Sequence, residues 1–287
     1  MSHLQYTAKS HHLQWNLKQL SKICHQLYRN YCPESFKHRR NVNLSKVSDQ
    51  SLLVLLILQA ELGIKSQCHF YRICQFFPCG RLLERSRFNR RTRQLIWLIQ
   101  IIRQAMNNQL SPDIVVIIDS FPLPLCQSVR NHQAKIFEGT ADIGYNASKH
   151  LWFYGFKVHM LVTLSGYILN YVVTPASVHD IRAVEDLLEN CQQPYILADL
   201  GYLSRDLKDH LVQKGYHLWT PLRQNMTGAN QHNHWKLMAM RRTIETRFSE
   251  LCALFDVEHT LARGETGVQL RIEQIVLAYN LRYFEIN

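Results

Sequence analysis

Three carboxylates stand out by where they fall. Asp119 follows the β-branched run Ile114-Val115-Val116-Ile117-Ile118, and Asp199 follows the short apolar stretch Tyr195 to Ala198. Glu245 sits at the edge of an apolar stripe, Leu237, Met240, Ile244, Phe248, Leu251 and Phe255, spaced as on one face of a helix. Carboxylates at the carboxyl ends of strands occupy the place where open α/β sheets hold their ligands. Three of them brought together repel unless cations intervene. Their hard oxygens suit Mg²⁺ or Mn²⁺, and two such ions roughly 4 Å apart can activate an attacking oxygen and stabilise a leaving one in phosphodiester chemistry. Taken singly, each acid also has a structural use. Asp119, before Ser120 and Pro122, can end a strand; Asp199-Leu200-Gly201 can form a turn; Glu245 can pair with Arg241 at i,i+4. The joint placement is what points to catalysis.

The elements that must position these acids follow from periodicity. The run 114–118 has no alternation and reads as a central strand covered on both faces. Phe153 to Thr163, a turn at Ser165-Gly166, and Tyr167 to Val173 read as a hairpin. Further on, the pattern predicts a helix from an Asp180 cap to about Asn190, strands at Tyr195–Ala198 and Tyr216–Thr220, and helices at Ser204–Gln213, Trp235–Phe255 and about Val268–Tyr283. This order, β-β-β-α-β-α-β-α, is a mixed α/β sheet flanked by helices. Before Pro112 the chain reads as helical. One helix begins at Ser48 or Asp49 and ends by Gly63, a second covers Gln67 to Phe77, and a third runs from about Thr92 to Asn107. His11, His12, Trp15, Leu17 and Leu20 suggest another packed on them. The expected division is a small all-α basic domain, 1–112, with a possible helix-turn-helix, and a catalytic domain, 113–287.

Charge sorts along the same line. The 287 residues carry 33 Lys and Arg against 22 Asp and Glu, a formal +11, with 46% hydrophobic residues, which excludes a disordered polycation. Residues 1–112 hold 17 basic against 4 acidic side chains, and the remainder 16 against 18. The first part is therefore suited to hold a polyanion. Arg81, Arg85, Arg87, Arg90, Arg91 and Arg93 are candidate DNA-phosphate contacts. If all six engaged phosphates, log affinity would fall with a slope of about −5 against log salt. The longest apolar run, Leu52–Leu58, is too short to span a bilayer, and the start carries no secretory pattern, so an intracellular location is expected. Eight cysteines include no Cys-x-x-Cys pair and are expected as free thiols; Cys68, His69, Cys74 and Cys79 match no zinc spacing.

Four segments, in order, resemble the RNase H-like fold of the DDE transposases of bacterial insertion sequences. They are Ile118-Asp119-Ser120; Tyr154 to His159 with Thr174 to Asp180; Leu197 to Tyr202; and Arg241 to Phe248. Length and the basic helical start are most similar to the insertion-sequence family called nine-eighty-two. Met238 and Cys252 stand where some related transposases carry Tyr and Lys along the Glu helix, whereas Arg241 and Glu245 fit. The resemblance implies a metal-dependent transposase in the bacterial cytoplasm. Asp119, Asp199 and Glu245 would be both catalytic and ligands of two Mg²⁺, with Mn²⁺ able to substitute. Hydrolysis at the element ends would be followed by attack of the freed 3′-hydroxyl on target DNA. Its partners would be double-stranded DNA, as terminal inverted repeats and as target, and a second copy in a homodimer on DNA. Arg241, Arg242 and Lys157 join the candidate DNA contacts. Lys157 and His159 alternate with apolar residues on the second strand, so both can face the site or the solvent. His179-Asp180 is another candidate acid pair, Asp180 more simply a helix cap, and Trp152, Tyr154 and Trp219 can stack a base or pack a core. Two other classes stay open on the residues alone: a non-catalytic DNA-binding protein derived from a transposase, and a nuclease of this fold that only cleaves.

Overall fold

The computed structural model describes residues 4–6, 16–76, 82–110, 113–147 and 149–286. Arg81, Cys79, His11, His12 and Trp15, together with Pro78 and Gly80, lie outside the described residues. The chain forms two compact units, one of residues 1–110 with 253–287, the other of residues 111–252.

The first unit opens with strand β1 (Leu4–Tyr6) and continues in helices. Helix α1 (Leu17–Tyr31) starts at a capping box, in which the Asn16 side chain accepts from the Gln19 amide and the Gln19 side chain accepts in return. A short α2 (Glu34–Lys37) leads to α3 (Asp49–Glu61), capped by Ser48. Leu52 to Ile57, Gln59 and Ala60 of α3 are all buried, so this helix is the centre of the unit. After α4 (Gln67–Cys74), two helices, α5 (Arg85–Gln94) and α6 (Ile96–Asn107), replace the single one expected from Thr92, with Leu95 as the joint between them. The free thiols Cys24, Cys32 and Cys74 are buried and Cys68 is exposed.

The second unit is built on a sheet. Its strands are β2 (Val115–Pro124), β3 (Asp142–Asn146), β4 (Leu151–Thr163), β5 (Ile168–Pro175), β6 (Tyr195–Ala198) and β7 (His217–Trp219). The order is β3-β4-β2-β6-β7, with β5 also pairing β4. Strands β3, β5 and β2 run antiparallel to β4, whereas β2-β6 and β6-β7 are parallel. Gly155 lets β4 pass close to β2, since a Cβ there would lie 2.3 Å from the Leu123 carbonyl oxygen. The expected five strands are present, and β3 is a sixth. Strand β2 does not stop at Asp119 but runs on to Pro124. Past Ile118 only β4 pairs with it, so it is an edge there and tolerates Pro122 and Pro124. The helix expected from Asp180 is instead a 3-10 turn, Asp180–Ala183, followed by a short α7 (Val184–Leu187), and His179 rather than Asp180 caps it. Helices α8 (Arg205–Gln213), α9 (Ala229–His232) and α10 (Trp235–Phe255) complete the unit, α10 with the expected bounds.

The final helix, α11 (Glu265–Leu281), and strand β8 (Phe284–Ile286) were expected with the catalytic part but belong to the first unit. Strand β8 pairs with β1, and α11, buried from Leu270 to Leu281, packs on α3 and α6. Arg103 of α6 forms a buried ion pair of 2.7 Å with Glu273 of α11. This changes the charge division. Residues 111–252 hold 13 basic and 13 acidic side chains, so the entire +11 excess lies in the first unit. No helix among the described residues is long and apolar enough to cross a membrane.

Candidate active site

The parallel ladder between β2 and β6 ends at the pair Ile118↔Ala198. Asp119 and Asp199 are the next residues on the two strands, so register alone places them side by side. Helix α10 lies over this end of β2: the rings of Phe121 and Phe248 meet edge to face at 5.1 Å. One turn before Phe248, the helix presents Glu245, and one turn earlier Arg241.

Arg241 ties the three acids together. Its guanidinium donates to Glu245 Oε1 at 2.8 Å, and its Nη1 lies 3.7 Å from Asp119 Oδ2 and 3.8 Å from Asp199 Oδ1. The Arg241 residue is only 9% exposed, whereas the Asp199 and Glu245 side chains are 47% and 59% exposed. Burial, with the neighbouring charge of Asp199, pushes the Asp119 carboxyl up to about 7, against the opposing pull of the Ser120 amide and Arg241. The Ser120 N–H donates to Asp119 Oδ1 at 2.8 Å. One guanidinium against three carboxylates leaves this cluster short of positive charge.

Behind the acids is a second polar group. His159, opposite Ser120 in the β2-β4 register, is fully buried and hydrogen-bonded through Nδ1 to the Tyr202 hydroxyl at 3.2 Å and through Nε2 to Thr174 Oγ1 at 2.9 Å. Burial lowers its imidazole to about 4, so it is neutral. Tyr202 ends the turn after Asp199, is also hydrogen-bonded by Ser120, and so links the two acid-bearing segments. Its part was not apparent from sequence, because an aromatic at a turn reads as ordinary packing. Lys157 pairs with Asp180 at 2.6 Å, and a Cβ on Gly201 would lie 2.9 Å from Asp180 Oδ2, so the glycine admits this ion pair beside the Asp199 turn.

The basic residues divide. Arg85, Arg87, Arg90 and Arg93 on α5, and Arg242 on α10, are exposed. Arg91 is held internally: it bonds Asp49 at 2.5 Å, the Val47 carbonyl at 2.9 Å, and Ser45. Arg39 completes the clamp on Asp49, and although burial raises that carboxyl, the two guanidinium groups hold it below the usual range. Arg241 likewise faces carboxylates. Trp152 is exposed, Tyr154 is buried, and Trp219 stacks on His232 at 5.7 Å.

The profile of the family described as Transposase DDE domain matches residues 92–265, more than half of the chain. The chain belongs to the DDE transposase family. Among solved structures it is similar to a piggyBac transposase in a synaptic complex with hairpin DNA, with TM-score 0.50 and 12% identity over 91% of this chain and 73% of that one. That likeness supports a mixed α/β fold, a sheet flanked by helices, similar to that of a transposase. No curated protein matches the sequence.

Members of this family work with divalent metals. Among the described residues no group of three or more His, Cys, Asp or Glu side chains is arranged to hold a metal ion, and Arg241 lies between the three acids. The donor chemistry nevertheless fits a hard divalent cation. All three groups are carboxylates that converge on one guanidinium, and burial makes the charged form of Asp119 costly without a nearby cation.

Proposed function

We propose that this DDE transposase acts for a bacterial insertion sequence of the nine-eighty-two type, hydrolysing DNA at the element ends and transferring the freed 3′-hydroxyl into target DNA. The observation that carries the reading is the register: Asp119 and Asp199 follow the last pair of one parallel ladder, and Arg241 joins both to Glu245. Asp119 and Asp199 are held on adjacent strands and act as fixed oxygen donors; Glu245, on a helix, supplies the third. Bound by these residues, two Mg²⁺, or Mn²⁺ in their place, supply activation of the attacking oxygen and stabilisation of the leaving one. His159 and Tyr202 hold the two acid-bearing segments in place. Arg241 keeps the carboxylates together when cations are absent. Arg85, Arg87, Arg90, Arg93 and Arg242 grip DNA phosphates, and a homodimer in the bacterial cytoplasm joins the two ends. Incubating the protein with labelled duplex carrying the terminal inverted repeats, a target plasmid and Mg²⁺ tests this. Cleavage followed by joining is expected. No cleavage would overturn the catalytic reading, and cleavage without joining would identify a nuclease.

A further inference from the structure

The first unit contains a cavity of about 330 Å³ that the catalytic reading does not use. Lys65, Arg93, Arg263 and Arg271 border it with Asn89 and Gln274; among the described residues no Asp or Glu lines it, and Asp256, which pairs with Lys65, is the acid whose charge reaches Arg271. The first turns of two helices also border it, α4 at Ser66 to Cys68 and α11 at Gly267. Helix starts carry partial positive charge, which favours anions, although the Gly267 amide already donates to the Gly264 carbonyl at 2.9 Å.

The decisive residue is Arg271. It is 5% exposed, and its Nη2 donates to the Phe255 carbonyl at 2.6 Å, but its Nε and Nη1 have no hydrogen-bond partner. Buried polar groups are ordinarily satisfied, and a guanidinium with two donors unused by the protein at a cavity wall can take an anionic acceptor. Asn89 Oδ1 and Gln274 Oε1 are buried and unpartnered as well. An amide turned end for end offers N–H instead of oxygen, so both can serve as donors to the same anion. Of the cations, Lys65 is engaged by Asp256 at 2.5 Å, whereas Arg93 and Arg263 are exposed and make no ion pair among the described residues.

We propose that this cavity binds a phosphate group, with Arg271 as its buried anchor and Arg93 and Arg263 at its mouth. A phosphate presents several acceptor oxygens, which match the fork of Arg271 and the amide groups together, where a halide would satisfy only one. The phosphate belongs either to a DNA backbone or to a free monoester. The site lies wholly in the first unit and does not depend on the catalytic acids.

The test uses the full chain and inorganic phosphate, followed by thermal unfolding and by ³¹P line broadening at constant ionic strength. Wild type should show saturable stabilisation beyond that from chloride. Arg263→Gln, at an exposed position, should weaken phosphate at least about tenfold, a loss typical of a charge-assisted contact. Arg271→Lys, which keeps the charge but not the fork, should do the same, with circular dichroism confirming its fold. No saturable phosphate effect, or an unchanged midpoint in Arg263→Gln, overturns the proposal. Duplex DNA then separates the two sources. A fall of about one in the slope of log affinity against log salt for Arg263→Gln identifies a backbone phosphate. Weakened phosphate binding with an unchanged DNA slope identifies a free monoester. Cleavage at the catalytic acids is read separately, so loss of one result leaves the other standing.

Discussion

Replacing Arg241 with Gln removes a positive charge shared by Asp119, Asp199 and Glu245. With Nη1 3.7 Å from Asp119 and 3.8 Å from Asp199, each attraction is about 4 kcal/mol at an effective dielectric constant of about 20. The exposed sides of Asp199 and Glu245 screen their share, and Asp119 can escape the rest by taking a proton. A net loss of roughly 2–4 kcal/mol is therefore expected at pH 8, in line with breaking one partner of a buried ion pair. At pH 5.5 the loss should be smaller, because Asp119, pushed up to about 7, is already neutral there in the wild type. The assay is urea unfolding of both proteins in EDTA at the two pH values. At pH 8 the variant's midpoint should fall by about 1 M. Millimolar Mg²⁺ should restore part of the loss, since a cation that binds only the folded acids stabilises them by mass action. Equal midpoints for variant and wild type at pH 8 would refute the idea that Arg241 is the cluster's counter-charge.

Further outcomes follow from neighbouring residues. Between pH 7 and 4 the folded state takes up the Asp119 proton before the unfolded chain does, so that group adds stability as pH falls; His159, held near 4, is protonated first in the unfolded chain and subtracts it. Asp119→Asn should thus expose an acid-induced loss of up to about 3 kcal/mol below pH 6.5, and His159→Gln an opposite gain; parallel urea midpoints for both variants across this range would contradict the assignment. Arg91→Gln should cost roughly 2–3 kcal/mol through Asp49, whereas Arg90→Gln should leave stability within about 0.5 kcal/mol and lower the salt slope of DNA binding by about one; matched melting and DNA titrations check the contrast. Gly201→Ala, which would put a Cβ 2.9 Å from Asp180 Oδ2, should displace that carboxylate at a cost of no more than about 1 kcal/mol, a loss that Asp180→Ala in the same protein should remove; thermal melts of the single and double variants read this out.

The places of Asp119 and Asp199 were legible because strand ends are marked by residue type. The runs before Asp119 and Asp199 are short and apolar, so both read as strands with an acid at the carboxyl end, while their parallel pairing came only from the structure; the stripe on α10 marked its bounds. The i,i+4 pair of Arg241 and Glu245 was also recoverable, yet it proved to be only one arm of a guanidinium that reaches across to two strands, a contact no local spacing encodes. Strand β3 was not legible. Asp142-Ile143-Gly144-Tyr145-Asn146 has little strand propensity and exists by pairing with β4. The placement of α11 in the first unit also escaped, since helical periodicity reports how a helix is buried and not which partner buries it. Arg91 looked like its exposed neighbours in sequence, and only the position of Asp49, 42 residues away, distinguishes it.

The central claim is that Asp199, with Asp119 and Glu245, performs the chemistry. Single-turnover cleavage of a labelled element-end duplex in Mn²⁺, by wild type beside Asp199→Asn, tests it most directly. The account predicts loss of cleavage by at least about a hundredfold while DNA affinity stays within about threefold. An Asp199→Asn protein that cleaves at the wild-type rate would contradict it.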